Sequence, residues 1–162
     1  MTILATGRNA YTFVELLVVI LIIGILVATV LPQLKQATSG LELEGFVKDI
    51  YYLCKYLQAS AVSQGKLYRL NIAPESLELN ATFKEKDELP LSGTGFKPIE
   101  GRFAKTYYAP KGSIIEVTAP TDNQIYFYPD GSIDQAQIHI RNKEGKELAI
   151  SSKGVSLEIT TH

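Results

Sequence analysis

The chain has 162 residues, room for one domain of ordinary size plus an appendage. Its 46% hydrophobic content excludes a disordered chain, and 16 Lys and Arg against 17 Asp and Glu leave no basic surplus to drive nucleic-acid binding. One cysteine excludes an intramolecular disulfide framework, and two histidines leave few ligands for a zinc or iron site.

The near-neutral mean hydropathy of +0.06 averages two unlike parts. Residues 1–10, MTILATGRNA, are short and turn polar toward their end, with Arg8 as the one positive side chain. Residues 13–31 follow, with 16 of 19 positions apolar, the exceptions being Glu15, Gly24 and Thr29. The remainder of the chain is about 41% apolar. As a helix the apolar run is roughly 28 Å long, close to the roughly 30 Å of a bilayer core. Arg8 and the α-amine precede the run, and the charges that follow it cancel, so the positive-inside rule predicts a cytoplasmic N-terminus and an external C-terminal part. A carboxylate within the run costs on the order of 2.5–3.5 kcal/mol near the centre of a span and less near an end. Glu15 therefore either snorkels at the interface or pairs with a positive charge on another subunit, since no other charged side chain lies between Arg8 and Lys35. Pro32 removes a helix hydrogen bond and Gly24 weakens the same stretch. The two either permit local unwinding or are simply tolerated, as Gly and Pro are in membrane helices.

Further along, Thr38, Ser39 and Gly40 interrupt the helical pattern and offer a place for a bend. Phe46, Ile50, Leu53, Leu57 and Ala61 then recur at spacings of three and four and mark one apolar face, with Gly65 as the stop. Cys54 beside that face reads as a buried hydrophobe. Tyr52 and Tyr56 form an i,i+4 pair on the flank, available either as ordinary surface or to cover a neighbouring subunit. Beyond Gly65 the period becomes two. Residues 68–72 and 77–81 read as a hairpin, and residues 84–112, rich in Gly and Pro, read as a long loop or weakly ordered insertion. Strands are predicted at 114–117, 125–128, 137–141, 147–151 and 155–160. The last three form an antiparallel meander whose Ile138/Ile140, Leu148/Ile150 and Val155/Leu157/Ile159 sets face the helix. Asp122, Asp130 and Asp134 supply oxygens at short spacing, but a calcium cage needs six to eight, and Asp and Gly are also turn residues. Residues 85–88 read as a solvated loop. His139 is expected on the solvent side of its strand with no catalytic partner implied. No phosphate loop, metalloprotease helix or nucleophile elbow occurs, so no cofactor or catalytic residue is expected.

The stretch Ala10-Tyr11-Thr12-Phe13-Val14-Glu15-Leu16-Leu17, followed by VVILIIGILVATVLP, resembles the N-terminal signal of type IV prepilins and type II secretion pseudopilins. The resemblance implies cleavage between Ala10 and Tyr11 by a prepilin peptidase and N-methylation of Tyr11. Glu15 then becomes the fifth mature residue and pairs on assembly with the α-amine of Tyr11 on a neighbouring subunit, and Pro32 falls at the family's helix-kinking position. Ala10 stands where the family nearly always has Gly. Residues 46–72 and 124–159 resemble the GspH/FimT group, the minor pseudopilin H of type II secretion and related minor type IV pilins; the absence of Trp argues against the major pseudopilin. DNA-uptake members of the group carry arginines at the last Gly-turn, and this chain has Lys153-Gly154-Val155-Ser156-Leu157-Glu158 there, so no nucleic-acid partner is expected.

The implied fold is α+β and pilin-like, a long N-terminal helix packed on an antiparallel sheet. Its parts are a leader at 1–10, a transmembrane and assembly helix at 11–34, an amphipathic helix at 35–65 and a β domain at 66–162. The implied protein is a non-enzymatic minor pseudopilin of the inner membrane, with its C-terminal domain in the periplasm. Its partners are the prepilin peptidase, the major and other minor subunits and the inner-membrane assembly platform. A minor type IV pilin for pilus assembly, adhesion or DNA uptake is the alternative. A signal-anchored periplasmic enzyme or binding domain is a lower one.

Overall fold

A computed structural model of the chain describes residues 13–85 and 95–161, apart from the side chains of 29–37. The chain divides into two compact units, Met1–Ala37 and Thr38–His162. What is described of the first unit is helical. It is the opening part of α1 (Phe13–Gln64), whose later turns belong to the second unit. Gly65, at φ 65°, stops α1 in the left-handed conformation that glycine reaches without a Cβ clash.

Thr38, Ser39 and Gly40, where the apolar pattern is interrupted in the sequence, are all helical. A glycine inside a helix costs about 1 kcal/mol relative to alanine, and tertiary contacts override propensities of that size. Here Ser39 accepts a hydrogen bond from Asn142 at 2.9 Å and donates one to Glu144. Gly40 is buried, and the Lys146 side chain lies 3.5 Å from where a Cβ would stand.

In the second unit the strands are β1 (Leu67–Ala73), β2 (Glu78–Lys84), β3 (Lys97–Pro98), β4 (Tyr107–Tyr108), β5 (Ile114–Thr118), β6 (Gln124–Phe127), β7 (Ile133–Arg141), β8 (Glu147–Gly154) and β9 (Ser156–Thr161). They form one antiparallel sheet in the order β3-β2-β1-β6-β7-β8-β9, with β4 added on β2 and β5 on β7. The single β6–β7 pairing, Phe127 with Ile133, joins its two halves. A bulge between Ile133 and Ala136 follows, after which β5 lies beside β7. β7 thus starts earlier than its alternation suggested, since the bulge breaks the period of two.

The core forms where the predicted helix face meets the sheet. Leu43, Val47, Ile50, Leu53, Leu57 and Ala61 join Leu70, Leu79, Phe127, Ile138, Ile140 and Ile150 in one buried cluster. Of the apolar trio assigned to the last strand, only Leu157 is buried. Val155 is 66% exposed because it sits in the turn after Gly154, and Ile159 is 40% exposed because no strand lies beyond β9 among the described residues. Residues 86–94 lie outside the described set. The rest of the segment read as a loop is docked, with Ile99, Tyr107 and Ala109 buried and Phe103 stacked on Tyr56 at 4.6 Å.

Candidate assembly site

The first unit presents an unusual surface. Every large apolar side chain from Phe13 to Val27 is exposed, between 41% at Val19 and 74% at Phe13. A helix apolar all round is stable where lipid or protein surrounds it. Glu15 is the acidic residue near the start of the described part of α1. Among the described residues no helix is long and apolar enough to cross a membrane. The apolar run read from sequence extends past them, because the side chains of 29–31 are outside the described set. Ala10 and Tyr11, the predicted cleavage pair, also lie outside it. Pro32 falls within the helical range, its side chain undescribed, and Gly24 has open space around it.

The second unit uses its polar groups structurally. Asp130 accepts from the Ser132 amide at 2.9 Å and the Ser132 hydroxyl at 2.6 Å, which hold its carboxyl below the usual range. Asp134 accepts from the Tyr126 amide and the Tyr128 hydroxyl, each at 3.1 Å. Burial, and then the Asp134 charge, push the Tyr128 phenol up to about 12. The Asp130 contacts fit the turn reading, whereas Asp134 lies in β7. His139 lies on the outer face as expected, with Nδ1 2.8 Å from Glu147 and Nε2 3.4 Å from Gln137. Cys54 is buried, and burial pushes its thiol up to about 12, so it stays protonated at neutral pH. Tyr56 is taken up by Phe103 inside the domain, while Tyr52 is exposed against the edge of Tyr51.

Two features of the second unit left no trace in the sequence pattern. The first is a polar clasp between the start of the unit and the β7–β8 turn. Asn142, almost wholly buried, donates to Ser39, and its Oδ1 accepts from the Lys146 amide at 2.8 Å. The Lys146 Nζ then donates to Glu44 at 2.6 Å. The second is a stack on the outer face of the sheet. The Arg69 guanidinium lies 3.8 Å from the centre of the Phe96 ring, and Tyr126 meets that ring edge-on at 6.1 Å.

A helix whose apolar side chains lie exposed in one unit and buried on an antiparallel sheet in the other is the arrangement of a pilin-like α+β fold. Similar solved structures bear that out. Minor pseudopilin EpsH from the type 2 secretion system of Vibrio cholerae superposes with a TM-score of 0.63 at 12% identity, covering 74% of this chain and 97% of EpsH. The type IV minor pilin FimU of Pseudomonas aeruginosa gives a TM-score of 0.54 at 14% identity, covering 76% of this chain and 91% of FimU. In sequence, two curated fimbrial proteins of Pseudomonas aeruginosa are 30% identical over 87 residues, 54% of this chain and 56% of theirs. The chain thus spans about half the length of the curated relatives it matches. No family model matches. The resemblance to type IV pilins and pseudopilins read from the N-terminal motif holds for the fold of the domain as well.

Proposed function

We propose that this chain is a minor pilin or pseudopilin, a non-enzymatic subunit that enters a filament through α1. The observation that carries the proposal is the exposed apolar helix that contains Glu15, on a domain folded like a minor pseudopilin. In this reading the prepilin peptidase cuts between Ala10 and Tyr11 and Tyr11 is N-methylated. Residues 13–31 hold the subunit in the inner membrane with its domain in the periplasm. On release from the membrane, Glu15 pairs with the α-amine of Tyr11 on the neighbouring subunit. Low dielectric strengthens that pair, and a slipped register leaves both charges buried without it. The test replaces Glu15 with Ala. The variant is expected to insert and fold normally but to be missing from filaments. Normal incorporation would sink the pairing, and mass spectrometry of the mature chain should find methylated Tyr11 at its start.

The finer assignment is to the pseudopilus of a type II secretion system, as a priming or tip subunit in contact with the major and other minor subunits and the assembly platform. The higher TM-score to EpsH than to FimU supports it. The fimbrial sequence relatives favour the second reading, a minor type IV pilin. Deleting the gene separates the two: loss of exoprotein secretion with pili intact supports the first, and loss of pili with secretion intact supports the second.

A further inference from the structure

β9 closes one side of the sheet and pairs only with β8 among the described residues. Exposed sheet edges are commonly guarded by Pro, by Lys, by a bulge or by being very short. The β3 edge follows that rule, with two residues and Pro98. β9 is longer, regular in register and free of Pro, Lys and Arg. Two rows of side chains run across the sheet and stop at it. On the helix side, Ile138 and Ile150 are buried, while Ile159, next in register, is 40% exposed. On the outer side, Thr118, Gln137, Ser151 and Glu158 follow one another in register and line an open groove of about 720 Å³. Among the described residues, both rows lack the member that one more strand would supply.

We propose that β9 is a docking edge for an extended segment of another polypeptide, one that places an apolar side chain beside Ile159 and a basic side chain opposite Glu158. The main chain supplies the general attraction and alternate side chains the selectivity, as in strand addition elsewhere. Glu158 accepts a bond of 3.4 Å from Ser156; the groove also holds Lys153, but that residue is on β8, whereas Glu158 is on the edge strand and directly faces an added strand, so opposite charge across the new pair is favourable. A second copy fits less well: two β9 strands paired about Glu158 set that carboxylate against itself, and like charges directly opposite are destabilising. The inference concerns the sheet edge and stands whether or not the chain enters a filament.

The test uses the full chain in detergent micelles and two blocked peptides, Thr-Val-Lys-Val-Thr-Val and its counterpart with Glu for Lys. Hydrogen exchange is followed by mass spectrometry. The Lys peptide is expected to slow exchange in residues 156–161, and to bind roughly two- to fivefold more tightly than the Glu peptide. Glu158→Lys is expected to reverse the order. Its site is exposed, and an unchanged thermal midpoint would show that the variant folds. The proposal is overturned by equal response to both peptides, by protection elsewhere in the sheet, by no protection at millimolar peptide, or by concentration-dependent protection of β9 without peptide, which would mean a second copy.

Discussion

Residues 13–28 and 43–61 belong to one helix and use the same apolar residue types, but the first set is exposed and the second buried. Leu57 is wholly buried in the core cluster, while Leu21, equally apolar, is 64% exposed. Burying a leucine contributes roughly 1.5–3 kcal/mol. In the second set that gain is realised within the chain and stabilises the domain. In the first set it can be realised only when something else covers the helix. Composition alone therefore does not say where apolar surface acts. Its periodicity does: a stripe matches a sheet, whereas a fully apolar circumference matches lipid or a ring of neighbours.

The comparison is broken most sharply by truncating one leucine from each set. Leu57→Ala is expected to destabilise the domain by about 2–5 kcal/mol, read from denaturant unfolding. Leu21→Ala should leave the same transition within about 0.5 kcal/mol. A comparable loss from both would mean that residues 13–28 are covered within the chain, and the contrast between the regions would fall.

A smaller effect sharpens the boundary between them. Asn142→Ala removes an almost buried side chain that bonds Ser39 and the Lys146 amide, and should cost about 1–3 kcal/mol. The loss should be local. Exchange of amides 38–44 should quicken, while those of residues 50–61, fixed by packing, keep their protection. Uniform quickening along the helix would show that the clasp is not what fastens the start of the domain.

The apolar stripe of Phe46, Ile50, Leu53, Leu57 and Ala61 was legible because burial on a helix leaves a period of 3.6, and β1 and β2 because one-sided burial leaves a period of two. β8 was legible from the alternation of Leu148 and Ile150, and β5 and β6 as short apolar runs between turn residues. The docking of residues 95–109 was not, since Ile99, Phe103 and Tyr107 stand four apart in a segment of turns and two-residue strands rather than a helix, and are held by contacts made elsewhere. The hold on the helix at Gly40 was hidden for a related reason. Its support comes from Asn142 and Glu144, more than a hundred positions away. The open edge at β9 is a property of strand order, which Ser156 to Thr161 share with no local pattern. At the candidate site, Glu15 stood out because one charge in an apolar run is conspicuous. Ala10 and Tyr11 were marked by motif and lie outside the described residues.

The smallest expected effect concerns acid. The Glu44 carboxyl is held below its ordinary value of 4.5, first by the hydrogen bond from Lys146 and then by that residue's charge. With the folded value lowered, the unfolded chain binds the proton more readily. The contribution to stability is therefore complete above about pH 4.5 and disappears as pH falls through the folded value. The pair is partly exposed, so the effect is modest and is screened by salt. Glu44→Gln lacks the titration, and its stability should fall less than that of the parent chain below about pH 4.5, with the gap closing at high salt. The packed stripe from Phe46 to Ala61 carries no such dependence, because transfer of hydrocarbon from water does not involve a proton. If Glu44→Gln and the parent lose stability in parallel under acid, the Glu44–Lys146 bond contributes nothing measurable. The helix would then be fastened at its entry to the domain by Asn142 and by apolar packing alone.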